Sequence, residues 1–167
     1  RSETGAAMAA VRVVRRLREA GDWQREMEGI LETLCRAMEC QRGILFRLRE
    51  LPGQGFAQSV AAYWIDPDFG GELASPTVIM QSIVNSDPLL ERLAEDERQG
   101  KIFSGHTRNL EGFLRTDFEK QNIKSFLSVS VFAHGHLWGT LAVNDCVNER
   151  EWTDEKEATL HIIALAI

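Results

Sequence analysis

The chain has 167 residues, 26% of them charged, and a formal net charge of −6, which suits one globular domain with an appended helix. A nucleic-acid-binding surface needs a basic patch, so this acidic balance argues against one. No apolar run approaches the roughly 18 residues of a membrane-spanning helix. We therefore expect neither a nucleic-acid partner nor a membrane contact for this segment.

The chain starts at Arg1 and stops within an apolar run at Ile167. We interpret it as part of a longer protein whose output activity lies in another segment. Since no signal peptide is visible, we expect a cytoplasmic location, where thiols stay reduced. The three cysteines lack metal or redox spacing and are predicted to be buried free thiols: Cys35, Cys40 and Cys146.

The first part of the chain is predicted to contain two helices and a β-hairpin. Residues 1–21 are rich in Ala, Val and Arg, and we interpret them as a linker or signalling helix. A second helix follows Asp22, a good N-cap, and its apolar residues fall on one stripe. Strands at 43–48 and 56–64 come next, joined by a turn at 51–55 that contains proline and glycine.

The middle of the chain changes from strand to helix. Twice a polar residue precedes a proline, a pattern typical of helix starts, and this predicts short helices at 76–84 and 87–98. A short strand at 101–103 and a helix at 110–118 follow. We call residues 76–118 the helical excursion, because they separate the first hairpin from the remaining strands.

The last third returns to strands and ends in a helix. Two apolar-rich strands joined by the short loop 133–135 must pair antiparallel, because parallel strands need a long crossover. A final helix begins after Thr153, whose hydroxyl suits an N-cap. From Ala158 it is apolar on nearly every side, so we expect burial on more than one face. The element order predicts an α+β domain over residues 22–167 with a central antiparallel sheet.

Four short motifs in the last third resemble signatures of the GAF domain. Residues 122–127 (Asn-Ile-Lys-Ser-Phe-Leu) look like the family's G-I-R-S-x-L, and residues 138–141 match its W-G-x-L. Residues 144–146 (Asn-Asp-Cys) and 150–152 (Arg-Glu-Trp) are similar to the D-D-C and R-x-W signatures of GAF domains in bacterial sensor histidine kinases and related regulators. The resemblance covers residues 22–167.

Two positions depart from the family pattern. Asn122 replaces the usual glycine, but asparagine tolerates positive φ, so we expect the turn to persist. Ser130 stands where proline is common, which changes a strand end and not the fold. The resemblance implies a PAS-related fold, with the N- and C-terminal helices on one face of the sheet and the helical excursion over the other.

The residues fit none of three ligand classes of the family well. The cyclic-nucleotide signature N-K…F-x-x-x-D-E has only fragments here, around Asn144 and Lys156–Glu157, so a cyclic nucleotide is not expected. No cysteine precedes a histidine, which argues against a covalently bound bilin. Haem needs an axial histidine in the pocket. Only His106 lies in the relevant region, and a histidine on the surface of a loop is the simpler interpretation, so we do not expect haem. The cofactor is therefore unknown from the sequence.

Alternation along the strand after Ser125 separates two faces. Leu127, Val129 and Val131 form an apolar face, which we expect under the terminal helices. The opposite face combines hydroxyls with aromatic rings, which suits a small-ligand pocket; alternatively, its serines are partly solvated beneath a loop. The candidate pocket residues are Phe103, His106, Phe113, Phe126, Ser128 and Ser130.

Neither a metal site nor a catalytic centre can be assembled from the motifs. His134 and His136 flank a glycine with no third ligand nearby, which favours a solvated turn. No G-x-S-x-G, P-loop or H-E-x-x-H motif occurs. We expect no catalysis in this domain. The rival is an enzyme resembling the GAF-fold reductases of free methionine sulfoxide, which needs cysteine thiolates converging on the pocket.

The resemblance implies a sensory or regulatory domain that binds a small molecule or mediates dimerisation, and passes the signal through its terminal helices to an effector. A scaffold that dimerises without any ligand is the alternative. The apolar final helix and the apolar surface of the first helix predict a homodimer. Its candidate interface residues are Val11, Val14, Leu17, Leu160, Ile163 and Ile167.

Overall fold

The computed structural model describes residues 23–51, 55–72 and 88–167, together with the helical positions 8, 11, 12 and 15. The predicted helix at 76–84 and most of the predicted 1–21 helix lie outside the described residues, as does the centre of the 51–55 turn.

The described elements follow the predicted order of helix, hairpin, excursion, hairpin and helix. The first elements are α1 (Trp23–Met38), β1 (Arg42–Leu51), β2 (Gly55–Ile65) and a 3-10 helix (Pro67–Glu72). The described part of the helical excursion contains α2 (Pro88–Arg98), β3 (Phe103–His106), a 3-10 helix (Thr107–Asn109) and α3 (Gly112–Lys120). The chain then forms β4 (Ser125–Ala133), β5 (His136–Asp145) and α4 (Asp154–Ala166).

The strand predicted at 101–103 begins later than expected, at Phe103. Gly100 takes a positive φ of 72°, and the N–H of Lys101 donates back to the carbonyl oxygen of Asp96 at 2.9 Å. These contacts close the end of α2 in a turn at residues 99–100, as glycine does at many helix ends, and residues 101–102 connect it to the sheet. The strand therefore starts only where pairing with β4 begins.

Two turns beside β4 have backbone conformations that the sequence signals. Asn122 has a φ of 59°, which confirms that asparagine can take the place of the family glycine. The predicted three-residue loop is a two-residue turn, with φ of 52° at His134 and 79° at Gly135. Two successive positive φ angles are typical of a type I′ turn, which matches the twist of the strands it joins.

All pairs in the five-stranded sheet are antiparallel, in the order β2-β1-β5-β4-β3. The central neighbours β1 and β5 are far apart in sequence, and Arg42 lies directly opposite Asn144. This arrangement confirms the predicted α+β fold with a central antiparallel sheet.

The apolar face of the sheet packs against both terminal helices. Leu127, Val129 and Val131 of β4 belong to one core with the α1 stripe and with Leu160 and Ile163 of α4. Burying each such side chain stabilises the fold by about 1.5–3 kcal/mol. The helical excursion covers the opposite face, as the resemblance implied, and the functional candidates lie in that second layer.

Candidate functional site

A cavity of about 100 Å³ lies between the sheet and the helical excursion, on the face opposite α1 and α4. The sheet forms its floor through Ile44, Phe46, Ser128, Thr140 and Ala142. The helices α2 and α3 cover it through Leu93, Glu97, Phe113, Leu114 and Phe118. Most of these groups are apolar and a few are polar, which is the usual make-up of a small-molecule site.

Three phenylalanine rings form one wall of the cavity, which we call the phenylalanine wall. The ring centroid of Phe126 lies 4.6 Å from that of Phe103 and 5.0 Å from that of Phe118. The planes of Phe118 and Phe126 meet at 85°, an edge-to-face geometry that aromatic pairs favour. These contacts join β3, α3 and β4, so elements distant in sequence hold the wall together.

Four predicted pocket residues line this cavity: Phe103, Phe113, Phe126 and Ser128. Phe113 is also 57% exposed, which places it at the mouth. Ser130 lies on the same face of β4 but is not among the described lining residues. Its hydroxyl donates to the carbonyl oxygen of Glu97 at 2.7 Å and fixes the end of α2 against the sheet.

His106 does not lie in this cavity, and the sequence prediction for this residue is corrected. Its Nε2 lies 3.1 Å from the carbonyl oxygen of Arg150, and its Nδ1 lies 3.5 Å from the carboxylate of Glu149. The pairing of β3 with β4 places His106 opposite Ser125, three residues along β4 from Ser128. The imidazole therefore lies against the segment between β5 and α4.

A fully buried arginine contacts two residues that line the cavity. The Nε of Arg42 donates to Oδ1 of Asn144 at 3.1 Å, and a terminal nitrogen donates to the carbonyl oxygen of Gln121 at 2.9 Å. The side-chain amide of Gln121 donates to the carboxylate of Asp117 at 3.0 Å. The network joins β1, β5 and α3, and it satisfies a buried cation that is costly when unpaired.

Two carboxyl groups line the cavity, and neither was singled out from the sequence. Burial raises the pKa of Glu97 to about 7, and the carboxylate of Asp96 adds to this rise. Burial also raises the pKa of Asp117, against the hydrogen bond from Gln121. Glu97 comes four residues after Leu93, so both lie on one face of α2. This spacing is the sequence feature that could have predicted a shared position at the cavity.

All three cysteines are buried, and none is among the described residues that line the cavity. Burial raises the pKa of Cys40 to about 12 and that of Cys146 to about 11, and it raises the pKa of Cys35 well above its ordinary value. The thiolate is the reactive form of cysteine. These thiols are therefore protonated at neutral pH, which speaks against the reductase alternative.

The predicted interface residues at the C-terminal end pack against the core of their own chain, and other residues of α4 are exposed. Leu160 and Ile163 are fully buried in the core of their own chain, so their prediction as partner contacts is wrong. Ile167 packs partly against the same core. The large apolar side chains that α4 leaves exposed are Ile162 and Leu165, at 49% and 85%. The error arose because helical periodicity does not tell which side meets the sheet.

The remaining predicted interface residues belong to the first 21 positions. Val11 is 55% exposed, and Met8 nearby is 54% exposed. Val14 and Leu17 lie outside the described residues. The described part of this helix therefore presents apolar groups outward.

Within the residues that the structure describes, no group of three His, Cys, Asp or Glu side chains is arranged to hold a metal ion. His134 and His136 are exposed at the turn between β4 and β5. No described helix combines the length and the apolar character that crossing a bilayer requires.

The family model for the GAF domain matches residues 22–167. An uncharacterized protein of Azorhizobium caulinodans is 30% identical over 153 residues, which is 89% of this chain and 20% of that protein. The methanogenesis regulatory histidine kinase FilI of Methanothrix harundinacea is 25% identical over 138 residues, 83% of this chain and 15% of that protein. The chain thus spans a fifth or less of the length of these curated relatives.

Solved structures share the fold. One, a far-red-absorbing dark state with bound biliverdin IXa, has a TM-score of 0.74 at 18% identity and covers 94% of this chain and 93% of its own. The blue-light-absorbing form of the PixJ GAF domain of Thermosynechococcus elongatus has a TM-score of 0.65 at 18% identity, over 84% of this chain and 79% of its own. At these identities, the likeness establishes the fold alone.

Proposed function

Because this chain belongs to the GAF domain family, a sensory and regulatory domain type, we propose that it senses a small molecule in the cavity beneath the helical excursion. The bound state is passed through the sheet to α1 and α4, and from there to an effector domain. The observation that carries this proposal is the cavity itself, since it joins an apolar lining to a few placed polar groups.

The strand β5 offers a route between the two layers. Thr140 and Ala142 line the cavity, while Leu141 and Val143 belong to the core shared with α1 and α4. A ligand that moves the floor of the cavity therefore also acts on the helix contacts one residue away. It shifts the helices only if it binds two helix arrangements with different affinities.

Catalytic output, in this proposal, belongs to other segments of a longer protein. The relative from Methanothrix harundinacea is named as a regulatory histidine kinase, and the matched region is 15% of its length. The raised thiol pKa values also favour a regulatory domain over a cysteine-dependent reductase. The proposal includes a cytoplasmic, bacterial sensor kinase or related regulator as the full-length protein.

A second proposal is self-association through α4, with or without a ligand. Ile162 and Leu165 are three residues apart, so they are neighbours on one helix surface. Apolar groups in such a position are favourable to bury in a symmetric pair. If the cavity binds no ligand, the domain acts in this proposal as a dimerisation scaffold.

Thermal unfolding with a metabolite panel tests the sensory proposal. The panel contains amines, amino acids, cyclic nucleotides, haem and biliverdin, each added to the full chain. We expect at least one compound to raise the Tm of the wild type, and Ala142→Leu, which fills the floor, to lose that shift. Ala142→Val is the milder variant if the leucine prevents folding, and Ala158→Leu, the same change at an exposed position of α4, is the matched control.

Hydrogen–deuterium exchange with the active compound then tests transmission. We expect altered exchange in α1 and α4 as well as in α2 and α3. A wild type that responds to none of the panel, or an Ala142→Leu variant that responds equally well, contradicts sensing in this cavity.

A further inference from the structure

The polar groups around the cavity are unevenly charged. The described lining includes Glu97 and Asp117 but no lysine, arginine or histidine. Asp117 receives a hydrogen bond from Gln121, and the charges of Lys120 and Arg42 also favour its ionised form. Among the described residues, no side chain donates to the carboxyl group of Glu97 and no cation offsets its charge. Of the two carboxyl groups in the lining, Glu97 is therefore the one to which no described residue supplies a hydrogen bond or a positive charge.

The backbone of Glu97, at the end of α2, is tied to the sheet and to the following turn. The carbonyl oxygen of Glu97 accepts the N–H of Gly100 at 3.0 Å and the hydroxyl of Ser130 at 2.7 Å. These bonds fix the backbone of Glu97 against β4, so the position from which its side chain reaches the cavity is set by the fold.

The phenylalanine wall faces the same cavity as Glu97. The rings of Phe103, Phe118 and Phe126 are packed within 6.5 Å of one another, measured between centroids. Aromatic faces attract cations through the ring quadrupole, and more strongly when water is excluded. A carboxyl group that lines the same cavity as these rings makes the cavity complementary to an organic ammonium group.

We infer that the cavity takes a small organic cation, with its ammonium group against Glu97 and its apolar part against the phenylalanine wall. This inference rests on the proposed function and names the ligand class for that site. An anion would be repelled by the two carboxyl groups, whereas a neutral molecule would form no ion pair with Glu97.

The volume limits the size of the buried part. A cavity of about 100 Å³ is smaller than the ~150 Å³ apolar cavity that accommodates benzene in another protein. A short alkyl chain with one ammonium group therefore fits, and larger substituents extend through the mouth at Phe113.

Binding of a cation is expected to depend on pH in a defined direction. Asp96 on α2 is the charged group that acts on Glu97, and Asp117 on α3 lines the same cavity. The strands present uncharged groups to that cavity, among them Phe46, Gln58, Ser128 and Thr140. Because burial raises the pKa of Glu97, this carboxyl group must lose its proton when a cation binds to it. Affinity should then rise between pH 6 and pH 8, where an alkylammonium stays protonated.

Calorimetric titration of the full chain with three matched probes tests the inference: n-butylammonium, 1-butanol and butyrate. We expect butylammonium to bind most tightly, with proton release that shows as a buffer-dependent enthalpy. Glu97→Gln should weaken it by roughly tenfold or more, as expected for a charged hydrogen bond. Glu95→Gln, the same change on the exposed side of α2, should leave affinity unchanged.

The outcomes separate the ligand class from the sensory function. If butanol or butyrate binds as tightly as butylammonium and Ala142→Leu abolishes the binding, the cavity is a ligand site and the cation inference is overturned. Affinity that falls as the pH rises, or an unchanged affinity in Glu97→Gln, also overturns it. Absence of butylammonium binding overturns it as well, whereas the sensory proposal is then judged by the metabolite panel alone.

Discussion

The Nε of Arg150 donates to the buried carboxylate of Asp145 at 2.8 Å and joins the end of β5 to the segment before α4. The same carboxylate accepts the N–H groups of residues 147–148, at 2.9 and 2.8 Å. Arg150 also donates to the carbonyl oxygens of Met38 and Glu39 at the end of α1, at 2.7 and 2.6 Å. The two C-terminal signatures of the family are thus parts of one clamp between the terminal helices and the sheet.

Replacing Arg150 by alanine should destabilise the domain strongly. The carboxylate of Asp145 would stay buried without its cation, and two carbonyl oxygens would lose their donor. We expect the free energy of unfolding in urea to fall by about 3 kcal/mol. Arg115→Ala removes an exposed ion pair with Glu119 and should cost no more than about 0.5 kcal/mol. Equal costs for the two variants would show that the clamp does not stabilise the fold.

Gly139 of the W-G-x-L motif should tolerate no side chain. A Cβ atom there would lie 1.9 Å from the carbonyl oxygen of Phe46, so β1 and β5 would have to separate. We expect Gly139→Ala to reduce stability by more than ~3 kcal/mol, or to prevent folding, in circular dichroism. At Gly135 a Cβ atom meets nothing within 4 Å, and alanine should cost only the positive-φ strain of about 1–2 kcal/mol. A smaller effect at Gly139 than at Gly135 would contradict this.

The stability of the domain should fall as pH rises towards neutrality. The pKa of Glu97 rises from 4.5 to about 7 on folding, so its contribution is complete below pH 4.5 and is lost as pH increases through 7. The loss amounts to up to about 3 kcal/mol.

Denaturation by urea between pH 5 and pH 8 measures this dependence. Glu97→Gln should flatten the profile and be more stable than the wild type at pH 8, while Glu95→Gln should follow the wild type. Identical slopes for wild type and Glu97→Gln would place the titration elsewhere.

The three thiols should be inert in the folded protein. Because burial raises their pKa values, a disulfide reagent at pH 8 should modify the native chain slowly and label all three cysteines rapidly in urea. Rapid labelling of native Cys146, with turnover of free methionine sulfoxide that Cys146→Ser removes, would reinstate the reductase alternative.

Self-association should depend on the outer surface of α4. Light scattering across a dilution series should show a dimer for the wild type, and Leu165→Asp should weaken it at least tenfold, since a buried unpaired carboxylate is costly. The matched control is Ile163→Val, a core change that should lower stability by about 0.5–1.5 kcal/mol without altering association. A wild type that is monomeric at every concentration would reject this interface.

Local chemistry let the sequence predict much of the fold. The apolar stripe of α1 and the alternation of β4 decide which side of each element is apolar, and both follow from fixed helical and strand periods. Asn122 could be assigned a positive φ because that preference belongs to the residue itself. Phe126 and Ser128 could be placed on the cavity side because strand alternation assigns them to one face of β4.

Only the tertiary structure shows which residues lie next to each other in space. His106 shares its short strand with Phe103, yet the register against β4 and the return of the β5–α4 segment place it outside the cavity. Leu160 and Ile163 look as apolar as Leu165, and only the packing of α4 on the sheet separates core from surface. In the sequence, Glu97 looks like any acidic residue on the surface of a helix. Its burial and its raised pKa depend on groups distant in sequence, so only the tertiary structure shows them.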